Sequence, residues 1–100
     1  MKYQDLLPCG SIVKLKDGER YMMICGRVVA ADGSDRIFDY VGCLYPEGMS
    51  QPDNMYFFDR DAIERILFIG FQDEEELAFR EEVLEQLGDL KVENGEIVDA

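Results

Sequence analysis

Chemistry in a chain of 100 residues depends on its bases, nucleophiles and ligands, and this chain has no histidine. The commonest general base and metal ligand are therefore missing, as is any Ser-His or Cys-His nucleophile pair. Cys9, Cys25 and Cys43 are odd in number, with sequence spacings of 16 and 18 that fit no zinc motif. Such scattered cysteines read as buried free thiols of a reducing compartment. Asp59 with Asp61, or Asp39 with Glu47, are carboxylate pairs of the kind that serve hydrolysis or hold a hard cation. A helix cap and solvated loops account for the same residues more simply. The glycines at 42, 48 and 70 follow turn spacing and match no phosphate-binding loop. The expectation is a protein that is not an enzyme, with no catalytic residue, cofactor or metal.

Charge excludes further classes. The net charge is −12, which repels nucleic acid and anionic membrane alike. Residues 1–50 hold seven acids and six bases, and residues 51–100 hold fifteen acids and four bases. After Gln72, eleven acids face only Arg80 and Lys91. A solvated face is the ordinary meaning of such a run, and a basic protein partner is the sharper one. No apolar run approaches the roughly 20 residues of a membrane span, and residues 1–10 have no signal-peptide pattern. The expected location is cytoplasmic, without membrane insertion.

The elements that would position any surface begin with a central strand, Ile37–Leu44, whose alternating residues are apolar on both faces after Asp39. Gly42 interrupts it without a side chain, the mark of a bulge or a close backbone approach. Tyr45-Pro46-Glu47-Gly48 ends it. Before it, Leu6 and Leu7 tuck against the sheet, and Ile12–Leu15 joins a long strand from Tyr21 to Val29 through an Asp17-Gly18 hairpin turn. Gly26 is expected to bulge that second strand. After it come a short aromatic strand at residues 55–58, a helical turn capped by Asp59, and a strand at residues 66–69. Asp73 with Glu76 resembles a capping box opening a helix to about residue 90, with Gly88 near its end. In helical projection Leu77, Phe79, Val83, Leu84, Leu87 and Leu90 share one arc, opposite Glu74, Glu75, Glu81, Glu82, Glu85 and Asp89. The expected fold is α+β: a strongly curved, barrel-like antiparallel sheet of about five strands, one helical turn and a C-terminal amphipathic helix. Residues 1–90 form one domain, and residues 91–100 a polar, frayed tail.

Two places on this framework are candidates for binding a partner. One is the turn Tyr45, Pro46 and Glu47, where Tyr45 is the aromatic residue expected to be exposed. The other is the helix, through Glu74, Leu77, Glu81, Leu84 and Glu85.

The run from Leu6 to Leu15, followed by Met23-Ile24-Cys25-Gly26-Arg27, resembles the start of the domain-of-unknown-function family numbered 4176. Phe38 to Gly48 and Phe68 to Glu76 continue the likeness in order, so that it covers about residues 5–80, with the Tyr-Pro-Glu-Gly turn as its most specific block. Cys9 stands where members of the family more often have another residue. The resemblance implies a small accessory protein encoded beside LXG-type toxins of the type VII secretion system in Gram-positive bacteria. It thus implies a non-enzymatic chaperone or adaptor that meets a toxin, or another secretion accessory protein, before export. An immunity-type inhibitor that covers a toxin's catalytic domain with its acidic surface is the alternative. The family brings no catalytic residues to carry over.

Overall fold

The computed structural model describes Tyr3 and residues 5–100; Met1, Lys2 and Gln4 of the expected lead-in lie outside the described residues. The strands are β1 (Ile12–Leu15), β2 (Tyr21–Ala30), β3 (Ile37–Leu44), β4 (Tyr56–Phe58) and β5 (Ile63–Phe68). They form one sheet in the order β4-β3-β2-β1-β5, antiparallel at every neighbouring pair. The middle strand is β2, so β3 is not the centre that its composition suggested. β4 and β5 do not pair, and the sheet stays open where a barrel was expected.

Local chemistry explains the elements. Asp17 takes φ 64 at the β1–β2 turn, and the Gly18 amide donates to the Leu15 carbonyl. Gly42 lies against the backbone of β2: a Cβ there would sit 2.7 Å from the Met23 oxygen. The bulge in β2 is also present. Ile24 pairs with Gly42 and Gly26 with Val41, leaving Cys25 without an opposite residue. Its effect is to turn Arg27 onto the face it shares with Tyr40, its partner across the ladder.

The core lies on one face of the sheet, where Val13, Met22, Ile24, Tyr40 and Phe58 meet Tyr3, Leu6 and Leu84. Tyr40 is fully enclosed, its ring 5.5 Å from that of Phe58, and its hydroxyl accepts the Leu7 amide at 2.9 Å. Val41 and Cys43 are buried on the opposite face of β3, so this strand is covered on both sides as its composition requires. Buried Ser11 joins the start of β1 to the end of β5. Its hydroxyl donates to the Pro8 carbonyl at 2.7 Å and accepts the Gly70 amide at 2.9 Å.

The C-terminal third departs most from expectation. The helix α1 is only Glu74–Phe79, followed by a wider π-helical segment, Arg80–Leu84. Among the described residues no long C-terminal amphipathic helix exists. The π turn, with one residue more than an α turn, breaks the apolar phase. Leu84 turns into the core, whereas Leu77, Phe79 and Val83 remain exposed. The expected frayed tail is instead an antiparallel hairpin, β6 (Leu90–Glu93) and β7 (Glu96–Asp99). Its turn is Asn94-Gly95, at φ 54 and 79, and Val92 pairs with Ile97 across it.

Candidate functional site

β5 is an edge strand, and its exposure is unusual. Ile66, Leu67, Phe68 and Ile69 are all exposed, Ile66 at 49% and Phe68 at 60%, and Phe71 reaches 79%. Ile66 sits opposite Val13 and Phe68 opposite Ile12, so the run presents apolar side chains on both faces of the sheet. A continuous apolar strand normally signals burial on two sides. Here β1 covers one edge, and no described strand covers the other. Together these five side chains leave on the order of 500 Å² of apolar surface open, toward the upper end of what the largest patch on a monomer shows.

The surface continues beyond the strand. Gly70 fits against the backbone at Cys9 and Gly10, where an added Cβ would meet the Cys9 oxygen at 2.3 Å. Phe71 and Phe79 then line a shallow hollow over Arg27, with Asp73, Glu75 and Glu76 at its rim. Arg27 anchors α1. Its guanidinium donates to both Glu76 oxygens at 2.7 and 2.8 Å, and its Cζ lies 5.2 Å from the Phe79 ring centre. Arg80 adds a third bond to Glu76 at 3.1 Å. The hydrogen bonds from Arg27 hold the Glu76 carboxyl below its ordinary range. Only half of the expected capping box forms. Asp73 accepts the Glu76 amide at 3.0 Å, but the Glu76 side chain is committed to the two arginines.

The residues proposed from sequence divide into two places. Tyr45, Pro46 and Glu47 are exposed beside the start of β2, where the Tyr45 amide meets the Tyr21 carbonyl and Glu47 pairs with Arg20. The Tyr45–Pro46 peptide is cis. The helix attaches near the other end of β2, at Arg27, roughly 20 Å away for six residues of strand. The two patches thus attach at opposite ends of β2. Within the helix, Leu77, Glu81 and Glu85 do come together, around a cleft shared with Arg80 and Asp5. Glu74 is exposed at the start of the helix. Leu84 is a correction: buried beneath the helix, it cannot contact a partner. Composition could have flagged the β5 run, since five of the six residues 66–71 are large and apolar beside the most acidic stretch. It could not show that only one strand would pair there.

The carboxylates form structural pairs. Asp39 accepts the Arg60 amide at 2.9 Å and its Nε at 3.1 Å, whereas Asp59 accepts the Asp39 amide at 3.0 Å. Asp59 also pairs with Arg36 at 2.5 Å, so it joins β3 to the following turn and does not cap that turn with its side chain. A hollow of about 520 Å³ opens beside them, lined also by Asp35 and Asp61. Glu47 lies apart from this group, on Arg20. The cysteines are free thiols: Cys43 is buried, Cys25 half-buried and Cys9 exposed, and the Cys25 and Cys43 sulfurs lie 3.3 Å apart. Among the described residues, no group of three or more Cys, Asp or Glu is arranged to hold a metal ion. No helix among them is long and apolar enough to cross a membrane.

A family described as a domain of unknown function, DUF4176, matches residues 6–79. The chain belongs to it. The match spans all five strands of the main sheet and α1, and it stops before the π-helical segment and the β6–β7 hairpin. No curated protein and no solved structure matches the chain.

Proposed function

We propose that the chain is a non-enzymatic protein-binding accessory factor, a chaperone or adaptor that holds an LXG-type toxin of the type VII secretion system in the cytoplasm before export. The observation that carries the binding reading is the exposed apolar run of β5. A patch this large on so small and acidic a domain supports a protein that functions with a partner. The toxin as partner follows from the resemblance drawn from the sequence. Family membership adds no chemistry of its own, because the family is one of unknown function. The acid load beside the run would steer a basic partner and repel nucleic acid.

The experiment is titration calorimetry of the purified chain with an LXG-type toxin from its native host. Replacing Ile66, Phe68 and Phe71 by serine should weaken binding at least tenfold with the fold intact. Replacing Glu74, Glu81, Glu82 and Glu85 by lysine should weaken binding, and added salt should weaken that of the wild type too. A toxin that binds all three proteins equally would refute the reading. The second reading, an immunity-type inhibitor, rests on exposed Glu81 and Glu82, since an acidic surface suits a basic catalytic cleft. Separate toxin domains distinguish the two. Binding to the helical export domain supports the chaperone, and binding to the catalytic domain with loss of its activity supports the inhibitor.

A further inference from the structure

The outer edge of β5 carries apolar side chains on both faces together with backbone groups that no described strand pairs. Half of the amides and carbonyls of an antiparallel strand point to each side, so one side of this ladder is open. Proteins usually blunt such edges with shortness, proline or lysine. β4, the opposite edge, is blunted by length, having three residues. β5 has six, with neither proline nor lysine from Ile63 to Ile69. Its charges, Glu64 and Arg65, lie toward its start, and Glu64 is held by Lys14 of β1 at 3.1 Å.

Charge selects the occupant. Beyond the far end of β5, Glu74 and Glu75 are exposed, and no ion pair engages them among the described residues. A second copy carries the same net charge of −12 and is repelled as a whole. A segment of another protein with basic residues at that end is attracted instead. Every neighbouring pair in the sheet is antiparallel, and in that sense the incoming strand begins where β5 ends.

We infer that a partner protein adds an extended segment to β5 as a sixth, antiparallel strand, and that lysine or arginine immediately precedes the apolar residues of that segment. The inference rests on reading the chain as a protein-binding factor and specifies how that binding is made. Main-chain pairing supplies the attachment, the apolar faces supply the register, and Glu74 and Glu75 set the direction.

The test uses synthetic peptides and the full-length chain. The first peptide has two lysines followed by alternating valine and threonine; the second has glutamates in place of the lysines; the third has the lysines moved to its C-terminal end. Amide hydrogen exchange over residues 63–69 is read with and without each peptide. The first peptide should slow exchange there and bind at least tenfold more tightly than the other two. Phe68→Lys, with an unchanged melting temperature, should weaken it at least tenfold; Ile66→Lys serves the same purpose should Phe68→Lys not fold. The double variant Glu74→Lys, Glu75→Lys should remove the advantage of the first peptide over the second. The inference is overturned if millimolar peptide leaves exchange at 63–69 unchanged, or if lysine and glutamate peptides protect equally. It is also overturned if the free protein sediments as a dimer with those amides already protected. The LXG-type toxin is assayed in parallel. Toxin binding without protection of 63–69 overturns the added strand alone, whereas peptide binding without toxin binding overturns the toxin as partner alone.

Discussion

Arg27→Met offers the sharpest test of how the helix is fixed to the sheet. Arg27 and Glu76 have side chains only 8% and 12% exposed, and two short hydrogen bonds join them. Removing one partner of a buried pair leaves the other charge uncompensated, at a cost of about 3–5 kcal/mol. Arg80 still reaches Glu76, so the low end applies, about 3 kcal/mol. For a domain of this size that lowers the melting temperature by about 12–24 °C. Thermal unfolding followed by circular dichroism measures it. The double variant Arg27→Met, Glu76→Leu removes both charges and should recover most of the loss, the remainder reflecting Arg80, which then keeps only Gln72. Acid supplies a second check. Arg27 depresses the folded-state Glu76 carboxyl, so the unfolded chain takes up its proton first as pH falls. The stability from this pair is therefore complete above about pH 4.5 and is lost as pH falls through the depressed folded value. The gap between wild type and Arg27→Met should narrow from pH 7 to pH 3. A melting temperature lowered by less than about 4 °C, or a gap that does not change with pH, would refute the reasoning.

Gly42→Val should cost about 2–3 kcal/mol, because its Cβ would meet the Met23 carbonyl and the Met22 side chain; an unchanged denaturant midpoint would contradict this. A bulky maleimide at pH 7.5 should label exposed Cys9 first. Cys43 should stay protected until denaturant is added, and so should Cys25, whose thiol burial pushes up to about 11; mass spectrometry during the reaction reads the order. Asn94→Val places a β-branched residue at φ 54 and should cost about 1–3 kcal/mol, read as faster amide exchange confined to residues 90–99.

The parts of this fold that were legible in the sequence rest on local chemistry. Asp17-Gly18 set the first hairpin, Gly26 the bulge and Gly42 the close approach, each because few residues tolerate that backbone or that contact. Asn94-Gly95 carried the same kind of signal between apolar pairs, but the acidic residues around it read as a tail. The helix was misjudged because 100° periodicity assumes an unbroken α-helix, and one π turn moves Leu84 inward while leaving Val83 outside. The candidate surface was legible only in part. The exposure of Tyr45 follows from the turn, but the exposure of Phe68 follows from strand order, a long-range property that no local pattern in residues 66–71 contains.

The bulge at Cys25 makes β2 a strand with two parities. Up to Ile24 the even-numbered residues look into the core; past the bulge Arg27, opposite Tyr40, takes that side, and Val28, at φ 54, also packs against the core. One inserted residue thus acts as a phase shifter. Losing it removes little volume and no charge, yet it exchanges the two faces for everything downstream in the strand. Arg27 would swing to the far side of the sheet, out of reach of Glu76, and α1 would lose its anchor although every residue of the anchor was still encoded. In this strand the count of residues carries information that their identities do not, and length variants at positions 25 and 26 are read by the fold more severely than substitutions there.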